Sequence, residues 1–409
     1  MTSRFPIDAV RARFPALRST RAYLDAPGGT QVCAPAIDAM VAHLAGGTAN
    51  TGGAFETSRE TDALAAAAHA AVADLLGAAP DEIAFGPNMT TLTLAASRAL
   101  SLNWSAGDEL VVTRLDHDAN VAPWLLVARD RGMDVRWLDF DPQTGRWDPD
   151  DLAALLGPRT RLVALGGASN ALGTLNDVAG AVRVVRARAP HALVFVDAVQ
   201  SVPHVATDVG TLGCDLLACS PYKFFGPHLG VLWVRRDLAE RIDAYKVRPA
   251  GTQGAHRFET GTPSFEAMAG TLGTIEYLEW LGRELLPGVN DRRGALVAAM
   301  QGCLAYEHAL GERLLAGLAA IPGLRLYGPP TGEGRVPTFG FTLAGHHPDA
   351  VAQHLGERGI FAWSGHFYAV EVIRRLGLED AGGLVRVGLC HYSTADEVDR
   401  LLAGLRALV

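Results

Sequence analysis

Cysteine is scarce in this 409-residue chain: Cys33, Cys214, Cys219, Cys303 and Cys390 are scattered and form no C-x-x-C pair. That pattern, odd in number as well as scattered, excludes a zinc ribbon and fits a reducing, cytoplasmic setting. No run of about 18 apolar residues occurs, so no membrane-spanning helix is expected. The opening residues Met1-Thr2-Ser3-Arg4-Phe5-Pro6 lack the apolar stretch of a signal peptide. Basic residues are outnumbered, 36 against 44 acidic, giving a formal charge of -8 and a pI near 5.9. A nucleic-acid surface, which needs clustered Lys and Arg, is therefore not expected. Three catalytic signatures are also missing: G-x-G-x-x-G, G-x-x-x-x-G-K-[ST] and G-x-S-x-G, which argues against a dinucleotide dehydrogenase, an NTPase and an α/β-hydrolase. His43, His69, His191, His346 and His347 show no metal-ligand spacing, so surface positions and no metal centre are expected.

What is present is ample apolar residue, 49% against 20% charged, enough for a large globular core. Between about residues 65 and 235, apolar β-branched runs alternate with helical stretches. Strands are predicted at 82–85, 109–113, 135–138, 161–165, 193–196, 215–219 and 230–234, with helices at 63–76, 90–100, 120–131, 150–156 and 178–188. Runs of that kind indicate strands buried on both faces of a mainly parallel α/β sheet. Beyond about residue 265 the pattern changes to long helices (267–280, 296–321) and a few strands (325–327, 338–342), followed by helices at 348–356 and 395–408. The expected organisation is a large α/β domain over 31–265 and a smaller α+β domain built from 1–30 and 266–409.

Ligands bind open α/β sheets beyond the carboxyl ends of the strands. Here every predicted strand end carries polar residues. They are Asn88-Met89-Thr90-Thr91 at a helix start, Asp116-His117-Asp118-Ala119-Asn120, Ser169-Asn170, Asp197 with Gln200, and Ser220-Pro221-Tyr222-Lys223. Asp197 alone could be a helix cap or a ribose-binding acid, and His117 alone could be structural. The convergence suits one ligand with many contacts.

Taken in order, these segments resemble the class V aminotransferase and cysteine desulfurase-like group of fold-type I pyridoxal-phosphate (PLP) enzymes. The resemblance is carried by Tyr23-Leu24-Asp25, His117-x-x-Asn120-x-x-Pro123-Trp124, Ser169-Asn170-x-Leu172-Gly173-Thr174 and Val196-Asp197-x-x-Gln200. It continues through Ser220-Pro221-Tyr222-Lys223-x-x-Gly226-Pro227, Phe258-Glu259-Thr260-Gly261-Thr262-Pro263, Arg386 and Tyr392. It implies a seven-stranded-type sheet and PLP bound as a Schiff base to Lys223. Asp197 would pair with the pyridine nitrogen, and Gln200 and Asn170 would bond the ring hydroxyl. His117 would stack on the ring, and Met89, Thr90, Ser220 and Tyr222 would hold the phosphate. Thr262 would reach the phosphate of a neighbouring subunit, so a homodimer with shared sites is implied. Arg386 would grip the carboxylate of an amino-acid substrate, with His366 and Trp363 near its side chain.

Departures from the family pattern narrow the chemistry. Asn88-Met89-Thr90 stands where the family has Gly-Thr-Thr, and Tyr222 stands where it has a phosphate-binding His. Desulfurases carry a nucleophilic Cys in the loop that here reads Gly359-Ile360-Phe361-Ala362-Trp363-Ser364-Gly365-His366-Phe367-Tyr368, and the matching position is Tyr368. The expected activity is C–S lysis by β-elimination without persulfide transfer. Transamination or epimerisation of an amino acid is the alternative, and a non-catalytic PLP-binding protein a distant one.

Overall fold

The computed structural model describes residues 5–409. Its centre is a seven-stranded sheet, and its strands are β1 (Ile83–Gly86), β2 (Glu109–Thr113), β3 (Asp134–Leu138), β4 (Thr160–Gly166), β5 (Leu193–Asp197), β6 (Leu216–Cys219) and β7 (Gly230–Val234). They lie in the order β1-β7-β6-β5-β4-β2-β3. The five strands from β6 to β3 run parallel, whereas β7 is antiparallel to both its neighbours. The expected fold, a mostly parallel α/β sheet of the fold-type I class, is the one found.

Successive side chains of a strand point to opposite faces, and both faces here are buried. Val111, Val163, Val194, Val196, Leu217 and Trp233 enter one core, while their neighbours Leu110, Leu162, Phe195, Leu216, Leu232 and Val234 enter the other. A sheet covered on both sides needs unbroken apolar strands, which is why β2 and β7 are buried along their whole length.

A four-stranded antiparallel sheet follows, made of β8 (Leu324–Tyr327), β9 (Thr338–Leu343), β10 (Trp363–Gly365) and β11 (Leu384–Gly388), in the order β10-β11-β9-β8. Its register sets Trp363 opposite Arg386. Ala22–Tyr23 pairs in parallel with Ile360–Phe361, and Gly388 N donates to Leu24 O. These contacts bring the N-terminal segment against the four-stranded sheet. No helix among the described residues is long and apolar enough to cross a membrane.

One expectation is corrected. His69 is not at the surface: it is buried in the helix Glu56–Leu76, its Nδ1 2.7 Å from Ala65 O and its Nε2 2.8 Å from Glu259 Oε1. Glu259 also accepts from Phe85 N and faces His256 Nδ1 at 3.3 Å. Burial raises the Glu259 carboxyl, but the bonds from His256 and His69 outweigh it and hold it at about 2. The ligating atoms of His69, His256 and Glu259 all lie within 4.8 Å of one another, close enough to satisfy each other as an ion-pair cluster.

Candidate active site

A cavity of about 1030 Å³ opens at the carboxyl ends of β1, β2, β4, β5 and β6. Its walls contain Met89, Thr90, His117, Asn170, Asp197, Gln200, Ser220, Tyr222, Lys223, Trp363, His366 and Arg386. Twelve of the thirteen site residues expected from the sequence therefore share one space. Thr262 does not line it and lies exposed in the loop that follows Glu259.

Lys223 sits in the short 3-10 turn Pro221–Lys223 directly after β6, and only 8% of it is exposed. Its Nζ donates to Pro27 O, which also accepts from Gln200 Nε2 at 2.9 Å. Burial, with the charge of Arg386 in support, outweighs Asp197 and brings the amine down to about 7. A buried lysine of that kind is a nucleophile at neutral pH.

Asp197 ends β5 with one carboxylate oxygen accepting from Val199 N at 3.0 Å. Burial lifts its carboxyl to about 6, against the opposing pull of that N–H and of Lys223. His117 is fixed by Ala119 N donating to its Nδ1 at 3.0 Å, so Nε2 carries the proton in the neutral ring. Burial first, then Lys223 and Arg386, pull that imidazole down to about 4. It is neutral at pH 7 and able to lie flat against an aromatic ring.

Arg386 rises from the middle of β11 into the same space and is 4% exposed. Its Nη1 donates to Asn170 O at 2.9 Å, and its Nε is buried without a protein partner. Burial pulls the guanidinium down to about 9, which leaves it charged at neutral pH. Asn170 donates from Nδ2 to Phe367 O at 2.8 Å, and its buried Oδ1 has no protein partner. A buried charge and a buried amide with free bonding capacity mark places where a polar ligand is received.

The helix Met89–Leu100 begins at the wall of the cavity, with Asn88, Met89, Thr90 and Thr91 lining it. Asn88 caps it by accepting from Thr91 N at 2.8 Å, leaving the first backbone N–H groups directed outward. Gly230 lies directly beneath, and a Cβ there would come within 2.3 Å of the Asn88 carbonyl carbon. This end of the cavity therefore depends on the missing side chain.

Asp116 was not singled out from the sequence, yet it lines the cavity beside Asp197. Its carboxylate accepts from Gly166 N at 3.0 Å and from Asn120 Nδ2 at 2.8 Å. Gly166 is the β4 register partner of Asp197. Burial raises Asp116 to about 7, with the Asp197 charge adding to the effect. Its only sequence signal was its position, immediately before His117 at a strand end.

The sequence profile of the class-V aminotransferases matches residues 22–401. The chain belongs to that family. With it come dependence on pyridoxal phosphate and enzymatic activity. The chain is 34% identical to a cysteine desulfurase of Dickeya dadantii over 99% of this chain and 97% of that protein. It is 31% identical to the aminotransferase-like protein FGM3 of Gibberella zeae, across the full length of both. Among solved structures, the cysteine desulfurase of Thermococcus onnurineus superposes with a TM-score of 0.89 at 27% identity, covering 100% of this chain and 99% of that one.

The residues present fit PLP. A neutral-capable lysine, a free carboxylate oxygen on Asp197, a helix start above Gly230 and the unpartnered Asn170 Oδ1 supply an amine, a cation partner, an anion cradle and a polar contact. These are the four kinds of group that PLP requires.

Proposed function

We propose that this enzyme is a C–S lyase, eliminating the sulfur substituent of an amino acid and releasing it directly into solution. The observation that carries this reading is the placement of the thiols. All five cysteines are buried, and none lines the cavity. Burial raises Cys33 to about 11 and Cys214 to about 12, and it raises the thiols of Cys219, Cys303 and Cys390 as well. Sulfur transfer needs an accessible thiolate. The loop that would carry it offers Trp363, Ser364, His366, Phe367 and Tyr368 instead.

In this reading PLP, when bound, serves as an electron sink for charge released at the substrate's Cα. Lys223 anchors it and moves the Cα proton. Asp197 keeps the pyridine nitrogen protonated, with Gln200 and Asn170 at the ring hydroxyl and His117 against the ring face. The Met89 and Thr90 helix start, Ser220 and Tyr222 receive the phosphate. Thr262, exposed and outside the cavity, reaches the neighbouring subunit's phosphate, so the working unit is a homodimer in the cytoplasm. Residues 31–265 form the cofactor-binding domain, and 1–30 with 266–409 form the second. Arg386 binds the substrate carboxylate.

The test is to load the protein with PLP and screen sulfur-containing and other amino acids for pyruvate, ammonia, sulfide and keto-acid release. Pyruvate with ammonia supports the proposal, whereas keto acid formed only when an amino acceptor is supplied points to transamination. Intact-mass spectra after incubation with cysteine should show no added sulfur. A stable adduct lost on changing one cysteine to serine would overturn direct release.

A further inference from the structure

The loop after β10 contains two consecutive non-glycine residues in left-handed backbone, Phe367 at φ 53° and Tyr368 at φ 58°. Side chains of this size adopt that conformation only under constraint, and such outliers concentrate where a structure holds a ligand. The constraint is visible. Phe367 O accepts from Asn170 Nδ2 at 2.8 Å, and Tyr368 O accepts from Asp118 N at 2.7 Å. Tyr368 N donates to His366 Nδ1 at 3.0 Å.

The clamped backbone fixes the rings. Tyr368 stacks on His117 with centroids 5.5 Å apart and planes 22° apart, while Phe367 faces Arg386. Trp363 covers Gly28 so closely that a Cβ there would lie 2.3 Å from the indole nitrogen. Three aromatic rings thus border the cavity beside the buried guanidinium. Tyr368 is nevertheless 66% exposed and Trp363 51%, with Leu126 40% exposed on the same cavity. Apolar surface held open in a cleft indicates a ligand with an apolar part. At about 1030 Å³ the cavity reaches the top of the usual range for small-molecule sites, ~300–1,000 Å³.

We propose that the substrate is an S-substituted cysteine, its carboxylate on Arg386 and the aromatic group on its sulfur lying along Trp363 and Tyr368. This rests on the elimination reading above. The Cα proton is removed, and the Cβ–S bond breaks with its electron pair on sulfur. The thiolate takes up a proton and leaves as a free thiol. Water converts the remaining three carbons to pyruvate and ammonium, with no oxidant, reductant or enzyme thiol required. A thiolate already bonded to carbon needs no acceptor, which accounts for a loop without cysteine. His366 supplies the proton: its Nδ1 receives the Tyr368 N–H, so the other ring nitrogen carries the hydrogen in the neutral form.

The test compares S-benzylcysteine, S-methylcysteine and cysteine on the PLP-loaded protein, measuring pyruvate and free thiol. S-Benzylcysteine should exceed the other two in kcat/KM by about tenfold or more. Trp363→Ala and Tyr368→Ala should each erase most of that advantage, chiefly through KM, and Tyr368→Phe should retain it. A general loss of structure would lower all three substrates together and leave their ratio unchanged. Cysteine or S-methylcysteine turning over as fast as S-benzylcysteine would overturn the substrate class and leave elimination standing. Pyruvate from none of the three, while each still perturbs the visible absorbance of the cofactor, removes the elimination reading and the substrate class with it.

Discussion

The guanidinium carbon of Arg386 lies 4.2 Å from the centroid of the Phe367 ring, on the strand opposite Trp363. Stacking on one face and the bond to Asn170 O hold the fork in a single orientation. Lysine cannot reproduce either constraint, because its charge is a point on a flexible stem. Arg386→Lys should raise the KM for amino-acid substrates by about 10- to 100-fold, the loss expected for a bidentate carboxylate contact. The cofactor's absorbance should remain, since the substitution touches the substrate end of the cavity.

Lys223 offers a test of the cofactor anchor. Borohydride reduction followed by peptide mapping should place the label on Lys223, and Lys223→Ala should lack the covalent link. A label on Lys246 would falsify the assignment. The depressed amine also sets a pH dependence. Below about 7 Lys223 is protonated and not nucleophilic, so covalent attachment of PLP to the apoprotein should speed up as pH rises to about 7 and then level off.

Assembly is tested through the segment after Glu259. Sedimentation should give a dimer, and Thr262→Ala should weaken PLP retention without unfolding the chain, because the residue is exposed and outside its own cavity. A fully active monomer would exclude shared sites.

The cluster that carries this segment has its own signature. Glu259, held at about 2 against an ordinary 4.5, contributes stability that is fully present above 4.5 and is lost as pH falls toward 2. A depression of that size corresponds to about 3 kcal/mol at neutral pH. Glu259→Gln should lower the Tm at pH 7 by several degrees and flatten its acid limb between about pH 4.5 and 2, measured by calorimetry.

How much of this was legible in the sequence depends on what each segment packs against. The strands 109–113 and 230–234 and the helix 178–188 were read end to end, because each has an unbroken apolar or 3.6-residue pattern. The helix Glu56–Leu76 reads seven residues short from sequence, since its first turns, Glu-Thr-Ser-Arg-Glu-Thr-Asp, carry no apolar residue even where Ser58 and Thr61 are buried. Strand β11 was missed altogether: Arg386 interrupts its apolar run, so the charge that marks the site also hid the strand that carries it. The reversed direction of β7 left no trace, because strand polarity is decided by the connections and not by composition. The site residues themselves were legible as polar groups at strand ends. Asp116 stands at such a strand end too, but nothing in the sequence gives it a role, which comes from the bonds it accepts from Gly166 and Asn120.

Pro27 O, the acceptor shared by Lys223 and Gln200, has a consequence for how the molecule is made. It ties residue 27 to residues 200 and 223, while Leu24 O is held by Gly388 N, far along the sequence. Such distant pairings form slowly, because the loop they close must be ordered first. The segment around residue 27 must therefore wait for the much later segment around residue 388. The lysine pocket is completed only when these two segments have met, so a nascent chain that stops short of residue 388 should carry the large sheet without a competent cofactor site.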